Sequence, residues 1–156
     1  YKVTGVQTCA LPIWVLRLHL ELAVETGLPV VLHNRESWDD LVAEVAPFHG
    51  RVRAQFHCHT GTLEQARPLL EAGHVISFTG IVTFKNPGHM AEVAASAPAG
   101  TYMLETDAPY LAPMPHRGKR CEPAYVAHTA AKVAEQRGQT LEQVVAETAA
   151  TARASP

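Results

Sequence analysis

Cysteine is scarce in this 156-residue chain, and the three that are present form no pairing pattern. Cys9, Cys58 and Cys121 are an odd number, and no two of them have the CxxC spacing. An odd, widely spaced set argues against a disulfide scaffold and favours a reducing compartment. We therefore expect a cytoplasmic protein.

The sequence also lacks long apolar runs and an excess of charge of one sign. No stretch of about 18 apolar residues occurs, so we expect no membrane partner. The net charge of -2 gives no electrostatic basis for broad nucleic-acid binding, so any phosphate recognition must be local. The hydrophobic content of 47% is enough for one buried core. Nucleophile-elbow, P-loop and dinucleotide-binding motifs are missing.

What is present is a regular alternation of helical and strand-like segments. Short connections between alternating elements favour parallel strands. The almost wholly apolar run Leu28 to Leu32 suits a strand buried on both faces. The alternation alone describes a barrel fragment and a small doubly wound sheet equally well. Helices are predicted over about 14–26, 38–46, 62–72, 87–96, 123–137 and 141–152, and strands over 28–32, 52–56, 74–78 and 102–105.

Residues that can bind metal follow three of the predicted strands. His33 and His57 each close a strand, and Asp107 lies just beyond the fourth. In a barrel, the carboxyl ends of the strands form the active-site face. Imidazole and carboxylate suit zinc or manganese, and magnesium less obviously. A single histidine at a strand end can equally be structural.

Two further features border these residues. Glu105 shares strand parity with Asp107, so it can support a metal site or be a buried structural glutamate. A cationic set suggests a substrate with phosphate or carboxylate groups, although a solvated surface loop is an equal alternative. This set comprises Arg35, His116, Arg117, Lys119 and Arg120.

Four long segments of the chain resemble the TatD family of metal-dependent DNases. They are PVVLHNRES, FHCHTGTLEQARPLLEAG, ISFTGIVTFKN and LETDAPYLAPMPHRGKRCEPAYV. The resemblance implies an α/β fold, the C-terminal half (about four β/α units) of an amidohydrolase-like TIM barrel. It implies His33, His57 and Asp107 as metal ligands, with Asp107 also catalytic. It further implies two divalent ions (Zn, Mn or Mg) per complete site and DNA as substrate.

The chain departs from the family pattern in what it lacks. Family members also carry an early HxH pair and a bridging glutamate, and neither precedes His33 here. A complete (β/α)8 barrel needs about 250 residues. We therefore expect an incomplete and inactive fragment of a hydrolase. Relatives that cleave amides, and a proposed action on D-aminoacyl-tRNA, leave ester or amide hydrolysis as an alternative to DNA cleavage.

The first thirteen residues do not fit the resemblance. Val3 to Ile13 read VTGVQTCALPI, which resembles the translation of a common DNA-sequencing adapter. We expect residues 1–13 to be foreign to the domain and residues 14–156 to form a truncated TatD-type barrel domain. The alternative is a genuine irregular N-terminal segment.

Overall fold

The computed structural model describes residues 5–154, with side chains described from residue 12 onward. The predicted order of alternating helices and strands, with two helices at the end, is confirmed. The helices are α1 (Gly5–Thr26), α2 (Trp38–Val45), α3 (Leu63–Glu71), α4 (Met90–Ser96), α5 (Val126–Arg137) and α6 (Leu141–Arg153). The strands are β1 (Val30–His33), β2 (Ala54–His57), β3 (Val75–Phe78) and β4 (Tyr102–Leu104).

All four strands run parallel in one sheet, in the order β1-β2-β3-β4. Each neighbouring pair is joined by a connection that contains a helix, as parallel strands require. Because the strands are parallel, their carboxyl ends meet at the same edge of the sheet. In that register His33 lies directly beside His57.

One face of the sheet packs against helices and carries the hydrophobic core. Its residues alternate with those of the opposite face, following the two-residue period of a strand. The largest side chains on this core face are fully or almost fully buried. They form one hydrophobic cluster with apolar residues of α2, α3, α4, α5 and α6. The strand residues in this cluster are Leu32, Ala54, Phe56, Ile76, Phe78 and Tyr102.

Strand β1 is not buried on both faces as expected from its apolar sequence. Val31 is 67% exposed and His33 is also exposed, whereas Leu32 is buried on the core face. Val31 and His33 lie on the second face of the sheet, and the described residues leave that face open to solvent at β1, an edge strand. An apolar sequence indicates what a strand can bury, and only its neighbours decide what it does bury.

The helix boundaries differ from expectation at two places. Helix α1 begins at Gly5 rather than at Trp14, and it accommodates Pro12 in its interior. The origin of residues 1–13 remains a prediction, and residues 1–4 lie outside the described part of the chain. Helix α4 begins at Met90 rather than at Pro87, because Gly88 adopts a left-handed conformation (φ 61°) that a helix cannot include.

Two helix starts are as predicted, down to the atoms that cap them. At α3, the Thr62 hydroxyl accepts from the Gln65 backbone N–H, and the Gln65 side chain accepts from the Thr62 N–H. Thr140 and Gln143 repeat this capping box at α6. Between residues 5 and 154, no helix is both long and apolar enough to cross a bilayer.

Candidate metal site at the carboxyl edge of the sheet

The candidate site lies at the carboxyl ends of the strands, where the sequence predicted it. His57 ends β2, and Glu105 and Asp107 follow the end of β4. The rings of His33 and His57 lie side by side with centroids 5.6 Å apart. His33 and Asp107 both lie beside His57. The parallel sheet thus brings His33 and Asp107, 74 positions apart in the chain, to the same region.

His57 is held between two carboxylates. Its Nδ1 lies 2.7 Å from Oε1 of Glu105, and its Nε2 lies 3.4 Å from Oδ1 of Asp107. The shorter contact is the length of a hydrogen bond in which Nδ1–H donates to Glu105, and Nε2 faces Asp107. This is the arrangement in which a carboxylate sets the tautomer of a metal-binding histidine.

Glu105 is the centre of a hydrogen-bond network on the second face of the sheet. Besides the His57 contact, its Oε1 accepts from the Cys58 backbone N–H at 2.8 Å and from the Ser77 hydroxyl. Its Oε2 accepts from Nε2 of Gln55 at 2.9 Å. The Glu105 carboxylate is therefore fixed by hydrogen-bond donors from β2, from β3 and from the residue that follows β2. Glu105 in turn fixes the orientation of His57.

The chain turns sharply at Cys58, immediately after His57. Cys58 has a φ of 50°, and its Sγ lies 3.1 Å from the Thr79 hydroxyl. Burial, chiefly, and the negative charges of Glu105 and Asp107 raise the pKa of the Cys58 thiol. A thiol with a raised pKa has little thiolate at neutral pH, which argues against a nucleophilic role.

The donor chemistry fits a divalent ion, but the described ligand set is small. His57 and Asp107 can contribute an imidazole nitrogen and a carboxylate oxygen to one ion, and His33 stands beside them. Within residues 5–154, no three His, Cys, Asp or Glu side chains are close enough together to hold a metal ion. The structure thus brings together a two-donor core, with the exposed His33 as a neighbour.

The cationic residues are not gathered into one cluster. The Arg117 guanidinium lies over the Phe84 ring, 4.1 Å from its centroid, whereas Lys119 and Arg120 are exposed. Arg35 is exposed in the segment between β1 and α2. His116 is half-buried and stacks on Tyr125. Four of the five residues therefore belong to one loop, and Arg35 belongs to another.

That loop, residues 107–121, is tied to the loop that follows β3. The Thr83 hydroxyl accepts from the Met114 backbone N–H at 2.8 Å. Within the loop, the Cys121 N–H donates to the Pro109 carbonyl at 2.9 Å and closes it. At Gly80 the two loops approach so closely that a Cβ atom would lie 2.3 Å from the Leu111 carbonyl oxygen. The absence of a side chain at this glycine permits the contact.

Sequence reasoning missed two members of the site, Gln55 and Ser77. Both bind Glu105, and both lie on the same face of the sheet as His57. Gln55 could have been identified from the sequence. It precedes His57 by two residues in the same strand, so both side chains lie on one face of the sheet. His59, which spells an HxH with His57, is instead buried beside the Trp38 ring, and burial lowers its pKa.

The chain matches a family model described as "TatD related DNase" over residues 7–155. It is 38% identical to the "Uncharacterized metal-dependent hydrolase YabD" of Bacillus subtilis, covering 89% of this chain and 55% of that protein. It is also 38% identical to the "3'-5' ssDNA/RNA exonuclease TatD" of Enterobacter lignolyticus, covering 83% of this chain and 52% of that protein. The chain thus spans about half the length of these curated relatives.

Solved structures agree on the fold. The crystal structure of YJJV, a TatD homologue from Escherichia coli K12, superposes with a TM-score of 0.88 at 24% identity, covering 99% of this chain and 60% of that one. A TatD family hydrolase from Entamoeba histolytica gives a TM-score of 0.74 at 20% identity, covering 89% and 54% respectively. The parallel β/α sheet is accordingly of the TatD, TIM-barrel-like type; which part of the barrel it forms remains a prediction. By sequence and by fold, this chain belongs to the TatD family, whose curated members are named metal-dependent hydrolases.

Proposed function

We propose that this chain carries part of the active site of a metal-dependent hydrolase that cleaves phosphodiester bonds of DNA. The observation that supports the proposal most directly is the orientation of His57 by Glu105, with Asp107 facing its other nitrogen. A histidine fixed in this tautomer has one lone pair available for a metal ion. Family membership and the name of the Enterobacter relative are in keeping with this chemistry.

Each residue has a separate task in the proposed reaction. His33 and His57 would hold one ion through ring nitrogens, and Asp107 would hold a second and orient or deprotonate the attacking water. Glu105 keeps the hydrogen of His57 on Nδ1. Two divalent ions (Zn, Mn or Mg), when bound, supply a water of lowered pKa and positive charge beside the leaving oxygen.

Substrate phosphates are proposed to bind the local cations rather than the surface as a whole. The net charge of -2 provides no general attraction for DNA. Arg117, Lys119 and Arg120, with His116 beside them, lie on the loop that follows Asp107, and Arg35 lies on the loop that follows His33. Cations so placed can hold phosphate groups on either side of the ligands.

We propose that the remaining metal ligands are supplied from outside these 156 residues. The chain spans about half of its relatives, and its described residues offer no group of three ligands. We propose that the 156 residues alone do not cleave DNA. We further propose that the reaction takes place in the cytoplasm, where free thiols such as Cys58 and Cys121 persist.

The decisive experiment restores the missing part. The N-terminal half of the Bacillus subtilis relative is fused ahead of this chain, and release of nucleotides from a labelled single-stranded DNA is measured with Mn²⁺. We expect metal-dependent cleavage that falls at least 100-fold in His57→Ala and is unchanged in His89→Ala, a surface histidine control. A folded chimera no faster than its His57→Ala variant would refute the proposal.

The same chimera distinguishes the alternative substrate. Its rate on single-stranded DNA is compared with its rate on D-aminoacyl-tRNA under identical metal conditions. Faster deacylation that also depends on His57 would replace the nuclease by an esterase acting at the same site. The cationic loop is compatible with both substrates, because both carry phosphates.

A further inference from the structure

A second pair of histidines faces each other outside the candidate metal site. The Nε2 atoms of His116 and His128 lie 3.2 Å apart, and the two rings are tilted by 56°. His116 lies on the loop that follows β4, and His128 lies in the first turn of α5. The proposed hydrolysis gives His128 no task, and it leaves the orientation of His116 unexplained.

Three contacts hold this pair in place. The His116 ring stacks on Tyr125 with a centroid distance of 4.0 Å and an interplanar angle of 8°. Tyr125 lies three residues before His128, so the same helical turn carries both partners of His116. The His116 backbone N–H also donates to the Pro113 carbonyl at 2.7 Å, and its own carbonyl accepts from the Lys119 N–H.

The separation of the two nitrogens is that of two ligands on one metal ion. Zinc binds imidazole nitrogen at about 2.0–2.1 Å in tetrahedral geometry, which places two such nitrogens roughly 3.3 Å apart. The observed 3.2 Å is the length of an N–H···N hydrogen bond between the rings and is also close to that separation, so metal binding would change the ring tautomer and orientation more than the distance. Both rings are half-buried, so the pair is reachable from solvent.

We propose that His116 and His128 form a binding site for a divalent transition-metal ion, separate from the ligands at the carboxyl edge of the sheet. Two neutral imidazoles select Ni²⁺, Cu²⁺ and Zn²⁺ over Mg²⁺ and Ca²⁺, which prefer oxygen. Without metal, one ring donates its Nε2–H to the other. Metal binding requires both Nε2 lone pairs, so the donating ring changes to its Nδ1–H tautomer.

A bound ion would also fix the cationic loop onto α5. His116 belongs to the loop and His128 to the helix, so one ion joins the two elements through its ligands. Water or an anionic oxygen can occupy the remaining coordination positions. The site therefore adds a positive charge beside Arg117, the residue that follows His116.

The test measures Ni²⁺ binding to the 156-residue chain by titration calorimetry, in a His57→Ala background that weakens the other site. We expect one equivalent to bind, with an affinity at least tenfold lower after His128→Gln or His116→Gln. His89→Ala is the matched control and leaves the affinity unchanged. Mg²⁺ in excess does not compete.

A second readout keeps the result interpretable if a variant is less stable. Cu²⁺ bound to the His57→Ala chain is expected to show electron paramagnetic resonance splitting from two imidazole nitrogens. After His128→Gln, the two-nitrogen signal disappears while circular dichroism shows that the fold is retained. Equal Ni²⁺ affinity, or an unchanged two-nitrogen signal, in the folded His128→Gln chain overturns the proposal.

Discussion

His57 and His74 occupy opposite ends of the same sheet, and their surroundings differ in every respect that sets histidine chemistry. His57 ends β2, is partly open to solvent, and lies between two carboxylates. His74 immediately precedes β3 and is 1% exposed, with Nδ1 accepting from the Ala54 N–H at 3.2 Å. Its Nε2 lies 3.0 Å from Nδ1 of His49.

These environments give the two histidines different roles. Burial, and secondly the neighbouring His49, lower the pKa of His74 to about 4, so this ring is neutral and structural. His57 has carboxylates at both nitrogens, which is a surrounding that attracts cations. The comparison shows that two histidines at the ends of buried strands can have opposite surroundings, and that packed partners rather than chain position set them.

The largest expected effect is that of removing the structural histidine. His74→Ala deletes a buried ring and leaves the Ala54 N–H without an acceptor, so we expect the free energy of unfolding to fall by about 3 kcal/mol. Urea denaturation measures the change. The exposed His89→Ala is the control. A loss no larger than that of the control would show that His74 is not a core residue.

Acid should destabilise the wild-type chain through the same histidine. The unfolded His74 binds a proton near pH 6.5 and the folded one only near 4, so its contribution is complete above pH 6.5 and lost as the pH falls toward 4. The loss is on the order of 3 kcal/mol at most. His74→Gln, which removes this titration, should give a flatter stability profile between pH 6.5 and 4. Parallel profiles for the two chains would contradict the assignment.

Glu105→Ala tests the other end of the sheet. His57, Cys58 and Ser77 lose a shared acceptor, and we expect the free energy of unfolding to fall by about 2 kcal/mol. Glu92→Ala, which changes an exposed glutamate on α4, should stay within about 0.5 kcal/mol of wild type. If both variants unfold at the same urea concentration, the network contributes no stability and His57 is not held by it.

The smallest expected effect is at His33. This side chain is exposed at the sheet edge, so His33→Ala should change the free energy of unfolding by less than about 0.5 kcal/mol. Its consequence should appear only in metal binding by the completed protein, for which His33 is a proposed ligand. A large destabilisation of the 156-residue chain would mean that β1 depends on His33 for packing.

Much of the fold was predictable from local signals. Apolar runs bounded by glycine and proline indicated four strands, and alternation with helices indicated parallel pairing. Both capping boxes were readable because the Thr and Gln involved are three residues apart. One predicted helix boundary was wrong because of a local backbone conformation. Gly88 has a positive φ, so α4 begins at Met90 and not at Pro87.

The position of His57 and Asp107 at the carboxyl edge was predictable, whereas the residues that bind Glu105 were not. His57 and Asp107 follow strands, and the resemblance to the TatD family, rather than chain position alone, marked them as candidate ligands. Gln55 and Ser77 are ordinary strand residues whose role exists only because Glu105 reaches them from β4. The His116–His128 pair was equally hidden, since nothing in the spacing of twelve residues indicates that two ring nitrogens meet.

The sequence by itself determined the elements, their parallel order and the residue types at the strand ends, because these depend on short-range periodicity and turn chemistry. Tertiary structure decided which histidine lies between two carboxylates and which is sealed in the core. It also left Val31 exposed on the edge strand β1 and buried His74 beside the inner strands β2 and β3. The physical reason is that burial and partner distance set the charge and tautomer of an imidazole, and both are properties of packed neighbours that are distant in sequence.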